Sequence, residues 1–219
     1  MNDKTIEYSF YFTYAFLVTT GTITFIEALR TKVDSMRHIL NLETCISIIA
    51  AFFYGKFVQE FKNESMTIDY ASINLNRYVD WAITTPIMLL VLILAFRFNS
   101  TNKANVKFTD FVLILLLNYA MLGSGYLGEI GSWSRNMANF IGFVFFAGLY
   151  GFIYNTYLKS SKNRTNQLLF AIFVILWAFY GVFYQMEEKS RNVGYNILDL
   201  FSKCFVGIYF WAYFTKIFQ

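Results

Sequence analysis

Lys203 stands in the middle of a long apolar run, and Asp199 precedes it by four residues. Residues four apart share one face of a helix, so the amine and the carboxylate are neighbours. A charge at the centre of a bilayer costs at least about 2.5–3.5 kcal/mol on insertion scales, and a lysine at mid-span cannot easily snorkel to water. Two chemistries answer to this pair. One is a buried structural ion pair. The other is an amine that condenses with an aldehyde cofactor, which desolvated lysines do well. A second constellation lies in Arg77-Tyr78-Val79-Asp80-Trp81-Ala82-Ile83-Thr84-Thr85-Pro86. Arg77, Asp80 and Thr84 fall on one helical stripe, and Trp81 and Thr85 form a neighbouring one. The only proline of the chain follows directly and frees backbone groups. A cation, a carboxylate and a hydroxyl on one face make a site for a buried positive charge and its proton. A salt bridge near a helix end would explain Arg77 but not the deeper Asp80 and Thr84. Glu43 and Lys56 are the other two charges inside an apolar run.

These residues need helices that cross a membrane. The 219 residues are 57% hydrophobic and 21% aromatic but only 15% charged, against about 25% charged in soluble domains. Mean hydropathy is +0.44. Disorder, collagen and disulfide scaffolds are excluded by this composition. Cys45 and Cys204 both sit in apolar runs, which argues against a disulfide. The net charge of +4 forms no basic stripe, so no nucleic-acid partner is expected. MNDKTIEYSF has acidic residues before its apolar run and no small-residue cleavage site, and reads as a retained first helix.

A bilayer span takes roughly 20 mostly apolar residues, and seven candidates are present: 7–29, 38–61, 77–96, 109–127, 135–158, 166–184 and 194–215. Short polar connections join them, so 1–219 is expected to be a single seven-helix transmembrane domain. With the N-terminus outside, the inner segments hold Arg30, Lys32, Arg37, Arg97, Lys103, Lys107, Lys159, Lys162, Arg164 and Lys216. The outer segments hold Lys4, Lys62, Arg135, Lys189 and Arg191. Basic residues accumulate in cytoplasmic loops, which predicts an extracellular N-terminus and a cytoplasmic C-terminus.

The constellation resembles the microbial (type I) rhodopsins, seven helices around a retinal bound to a lysine of the last helix. RYVDWAITTP at 77–86 matches the third-helix motif of that family, and LDLFSK at 198–203 its seventh-helix Asp-x-x-x-Lys pattern. WAFY at 177–180 matches the Trp-x-x-Tyr of helix 6, and AMLGSG at 120–125 the helix 4 segment flanking the chromophore. The resemblance covers essentially the whole chain, with four motifs in the right order on the right spans.

The resemblance implies that Lys203 carries all-trans retinal as a protonated Schiff base. Asp80 would be the primary counterion and proton acceptor, Asp199 the second counterion, and Arg77 the extracellular balance to both. Thr84 would hydrogen-bond Asp80. Trp81, Thr85, Met88, Met121, Gly125, Trp177 and Tyr180 would line the polyene, and Tyr54 would reach toward Asp199. Interhelical packing alone accounts for any single aromatic in a chain this rich in them. No metal site is expected.

Several positions depart from the outward-pump pattern. Val91 stands seven residues after Thr84, where many pumps have an acidic donor. Glu43 is the candidate replacement, three turns from Tyr54 toward the cytoplasm and expected across the helix 2–helix 3 groove. A carboxylic acid in apolar surroundings can keep a proton for delivery. The alternative is a helix-end glutamate that is solvated or pairs with Arg37 or His38. Gly181 replaces a proline usual in helix 6. Asn118 replaces an acid common in archaeal pumps and carries little weight in this reading. Glu187 and Glu188 lie in the loop of the release carboxylates, but their spacing to Asp199 differs and Arg191 intrudes. Lys56 reads as a snorkelling lysine or a subunit contact.

The absent helix 3 donor and the helix 2 glutamate resemble rhodopsins of large algal and protist viruses, which include pumps and channels. Ser47, Ala50 and Phe53 follow Glu43 on its face, and such an apolar lining does not hydrate a cation path easily. An outward proton pump in a lipid bilayer is therefore the leading expectation, not an enzyme. The alternatives are a light-gated cation channel and a photosensor that signals through a partner. A non-retinal receptor would leave both constellations unexplained. Microbial rhodopsins often assemble as trimers or pentamers, and a homo-pentamer through helices 1 to 3 is expected by the same resemblance.

Overall fold

A computed structural model describes residues 3–61, 68–100, 106–159 and 163–215. Lys62, Lys103, Lys162 and Lys216, used above for orientation, lie outside the described residues. The chain is all-α. Its elements are α1 (Asp3–Arg30), α2 (Asp34–Glu60), α3 (Tyr70–Phe98), α4 (Phe108–Glu129), α5 (Arg135–Ile153) and α6 (Arg164–Tyr184). They continue as α7 (Glu188–Asp199) and α8 (Val206–Thr215). A π-helical turn, Tyr154–Leu158, extends α5, and a second, Leu200–Phe205, joins α7 to α8. Among the described residues, six helices are each long and apolar enough to cross a membrane. The seventh span is the continuous run from α7 through the π turn to α8, which the turn divides into shorter pieces.

α3 begins at Tyr70 rather than at residue 77, and α7 at Glu188 rather than at residue 194. The extra turns carry Asn74 and Asn192, both buried. Their amides are bonded inside the protein, so these turns are helical without being apolar.

The helices fall into two compact units, one of Met1–Asp80 with Met186–Gln219, the other of Trp81–Gln185, and α3 contributes to both. In the first unit α1 packs along α2 and meets α7, the π turn and α8. Its buried positions Ile6, Phe10, Thr13, Leu17, Thr20, Thr24 and Ala28 recur every three or four residues, one stripe of a helix. The opposite face exposes Tyr8, Phe12, Val18 and Phe25, as a lipid-facing surface does. Phe10, Tyr54, Phe57, Ile73 and Cys204 belong to the core of this unit. Cys45 and Cys204 are both free.

In the second unit α5 packs between α4 and α6. Pro86 lacks an N–H, so the carbonyl of Ala82 loses its helical donor. The Tyr119 hydroxyl of α4 donates to that carbonyl at 3.2 Å. Ser134 caps α5 and Asn163 caps α6, each accepting from a backbone N–H of the first turn. Buried Asn166 donates to the carbonyl of Phe96 at 3.0 Å and accepts from Asn99 at 2.9 Å, which ties the start of α6 to the end of α3.

Gly181, the departure noted in helix 6, serves the contact with α5. A Cβ there would lie 2.6 Å from ring carbons of Phe143 and 3.2 Å from Asn139 Oδ1. Gly181→Ala is expected to destabilise the protein by about 1–3 kcal/mol through overpacking. A lowered thermal midpoint in detergent checks this, and an unchanged midpoint refutes it.

Candidate functional site

The site of the first unit is built by two polar stripes. Asn74, Arg77 and Asp80 follow one face of α3, and Asn192, Asn196, Asp199 and Lys203 follow the last span. All seven are buried. Lys203 Nζ donates to Asp80 Oδ2 at 2.6 Å and lies 3.5 Å from Asp199 Oδ2. Arg77 Nη1 lies 3.8 Å from the same Asp199 oxygen. Two cations and two carboxylates sum to zero, which a dry site tolerates. The arrangement keeps an amine between two acceptors, with the nearer one on a different helix.

Tyr54 reaches Asp199. Its hydroxyl approaches Asp199 Oδ2 at 2.9 Å and Asn196 Oδ1 at 3.0 Å with one proton to give, and accepts from Arg77 Nη1 at 3.1 Å. Arg77 also donates to Asn196 Oδ1 through Nη2 and to Asn192 Oδ1 through Nε and Nη2, both at 3.4 Å. The rings of Phe10 and Phe57 each lie 5.1 Å from the guanidinium carbon, close enough for cation–π attraction. Asn192 Nδ2 donates to Asn74 Oδ1 at 3.2 Å, and Asn74 Nδ2 reaches Glu188 Oε1 at 3.5 Å. Arg191 is buried, with Nη2 3.7 Å from the same Glu188 oxygen. Glu188 is thus linked to Arg77 through two amides.

Sequence reasoning misses these asparagines. The signal is there: Asn192 and Asn196 stand four apart on the stripe that leads to Asp199, and Asn74 stands three before Arg77. Asn196 also donates from Nδ2 to Ser9 Oγ at 2.8 Å, so it joins α1, α2, α3 and α7. Removing it leaves several buried groups unsatisfied, each costing about 1–3 kcal/mol. Asn196→Leu is expected to lower the thermal midpoint more than Gly181→Ala does, and a stability equal to the parent would refute the hub.

Glu43 is buried, which removes the reading of a solvated helix-end residue. Arg37 is occupied by Asp34 at 3.1 Å and by the carbonyl of Thr31 at 2.9 Å, and His38 is exposed. The Glu43 carboxyl meets α8. Its Oε2 abuts Gly207 of α8, beside Thr20 of α1, because the missing side chain of Gly207 leaves room there. Lys56 is exposed, its Nζ 4.6 Å from the centre of the Phe52 ring, which fits snorkelling.

The second unit holds the aromatic residues expected around a polyene. Trp81 and Tyr180 meet edge to face with centroids 5.4 Å apart, and Trp177 and Tyr150 do so at 5.8 Å. Thr84, Thr85 and Met88 are buried in α3, while Met121 and Gly125 are half-buried in α4. Asn118 ties α4 to α3. It is buried and donates to Thr85 Oγ1 at 2.9 Å, while Thr85 donates to the carbonyl of Trp81 at 2.7 Å. Tyr184 donates to the carbonyl of Gly125 at 3.0 Å. In the first unit, a buried amine balanced by carboxylates fits an aldehyde held as an imine.

A model of the bacteriorhodopsin-like protein family matches residues 5–217. The crystal structure of viral rhodopsin OLPVRII is similar at 66% identity and a TM-score of 0.91, covering 98% of this chain and 99% of that one. Opsin-1 of Neurospora crassa is 27% identical over 148 residues, 62% of this chain and 47% of its own length. A green-light absorbing proteorhodopsin of Gamma-proteobacterium EBAC31A08 is 28% identical over 153 residues, 62% of this chain and 59% of its own length. The chain thus spans about half the length of the curated relatives it matches. Its fold is the all-α seven-helix bundle of the matched family, and that family implies a retinal chromophore. The chain belongs to the bacteriorhodopsin-like microbial rhodopsins, light-driven multi-pass membrane proteins that are not enzymes, and within them it is similar to a viral member.

Proposed function

We propose that the protein is a light-driven outward proton pump in which Lys203 holds the chromophore and Asp80 takes the first proton. The observation that carries this reading is the 2.6 Å contact from Lys203 Nζ to Asp80 Oδ2. All-trans retinal, bound to Lys203 Nζ as a protonated Schiff base, supplies the light-driven change of shape. Asp199 Oδ2 already faces Tyr54 and Arg77 as well as Lys203. The nearer acceptor is Asp80. A proton that moves from Nζ to Asp80 Oδ2 leaves Arg77 against Asp199, so the site is neutral before and after the transfer. Thr84, one turn beyond Asp80 on α3, would hydrogen-bond that carboxyl. Trp81, Thr85, Met88, Met121, Gly125, Trp177 and Tyr180 would enclose the polyene and keep water out.

Proton return comes from the other side of Lys203. The balance of Lys and Arg supports an extracellular N-terminus, which puts the start of α2 and Glu43 in the cytoplasmic half. Val91 cannot donate, and Glu43 is a buried carboxyl available to do so. Ser47, Ala50 and Phe53 beyond it are buried, which supports pumping over conduction, since a cation path needs water or polar lining. Oligomerisation belongs to the same reading. We take the assembly to be a homo-pentamer rather than a trimer, with Phe12, Val18 and Phe25 on an outward face of α1 available for contact.

Cells or vesicles loaded with retinal test the reading. Light should acidify the extracellular side without any imposed gradient, and a protonophore should abolish the change. A light response that appears only with an imposed cation gradient would indicate a channel, and no pH change a sensor.

A further inference from the structure

Gly207 of α8 faces the carboxyl of Glu43. A Cβ on Gly207 would lie 3.1 Å from Glu43 Oε2, 2.9 Å from Thr20 Cγ2 and 3.9 Å from Thr24 Cγ2. Even one methyl group would therefore push against both the carboxyl and α1. Glu43 Oε2 itself is buried and lacks a hydrogen-bond partner among the described residues. The neighbouring hydroxyls do not seat it. Thr24 and Thr44 hydroxyls lie 2.8 Å apart, and their two protons are shared between that contact and the carbonyls of Thr20 and Leu40. The carboxyl is placed by shape, in a hollow where α8 has no side chain. Gly207 follows Lys203 by four residues, roughly 6 Å of helix rise, so the hollow lies about one turn along the backbone from Lys203.

We propose that Gly207 is a positioning residue for proton return, holding the Glu43 carboxyl within one turn of Lys203. The proposal rests on the reading of Glu43 as the cytoplasmic donor. The proton leaves Glu43 Oε2, arrives at Lys203 Nζ, and leaves a carboxylate on Glu43 that is refilled from the cytoplasm. The rate of that transfer depends on donor placement, which a methyl group at position 207 disturbs.

The test compares the parent with Glu43→Gln, Gly207→Ala and the double variant Gly207→Ala/Thr20→Ser. The double variant removes the Thr20 methyl that the new Cβ would strike and keeps the contact with Glu43. Two quantities are read in the full-length protein: the rate of proton return after a flash, and the infrared C=O stretch of Glu43 in the dark, identified by its loss in Glu43→Gln. Glu43→Gln should slow return by about a hundredfold. Gly207→Ala should shift the infrared band and slow return by roughly tenfold. The double variant should stay slow, and azide, a small diffusible acid, should restore the rate in all three. The absorption maximum should not move, because the Lys203–Asp80 contact is untouched.

An unchanged rate in Glu43→Gln would sink the donor reading and this proposal together. A slow Glu43→Gln beside a Gly207→Ala with parental rate and band would overturn the proposal alone. A double variant with parental rate would also overturn it, since Gly207 would then act only by packing against Thr20. If Gly207→Ala fails to fold, the double variant decides the matter by the same two readings.

Discussion

Asp80→Asn should abolish light-driven transport and shift the visible absorption to longer wavelength. The asparagine amide fills nearly the same space but cannot take a proton from Lys203 Nζ. It also removes one of the two negative charges that balance Lys203 and Arg77. The cost of breaking a buried pair on one side is about 3–5 kcal/mol, so the pigment should also be less stable. The colour change has the same origin. A carboxylate 2.6 Å from Nζ holds positive charge at the nitrogen, and without it the charge spreads further along the polyene and excitation takes less energy. Asp199→Asn serves as the comparison. It disturbs Tyr54 and Arg77 but leaves the Asp80 acceptor in place, so some transport should survive. Sustained acidification by Asp80→Asn under light would contradict the assignment.

Lys203→Arg should yield a folded, colourless protein. This substitution separates the two chemistries that the sequence leaves open for Lys203. A guanidinium keeps the charge facing Asp80 and Asp199 but cannot condense with an aldehyde. A structural ion pair would survive it, and a covalent chromophore would not. The effect is all or none in the visible spectrum. Reducing the parent pigment with borohydride should add a retinyl group to the peptide that contains Lys203, seen by mass spectrometry. A coloured Lys203→Arg, or a label on another lysine, would refute the assignment.

Much of this site is legible in the spacing of its residues. Asp199 and Lys203 are four apart, so their shared face follows from helix geometry once the span is recognised. Arg77 and Asp80 are legible in the same way, and Pro86 announces a freed carbonyl, although not that Tyr119 satisfies it. What escapes is what composition disguises. Asn74 and Asn192 are uncharged and polar, so a hydropathy reading ends the helices just where these residues continue them, while Asn196, inside the expected span, carries no charge to single it out. Helical spacing gives the face on which Glu43 lies, but not the neighbour its carboxyl meets. That depends on a hollow created by a residue with no side chain, Gly207, on a different helix. Asn118 is easily undervalued for a similar reason: its importance lies in its hydrogen bond to Thr85, which sequence spacing between two helices does not reveal.

The central claim is directional proton transport, and voltage-clamped photocurrents in lipid membranes test it most directly. An outward pump gives a current that keeps its sign as the membrane potential is taken through zero and beyond the cation equilibrium potential. Asp80→Asn should remove that current. A current that reverses near the cation equilibrium potential would contradict the pump and make the protein a channel.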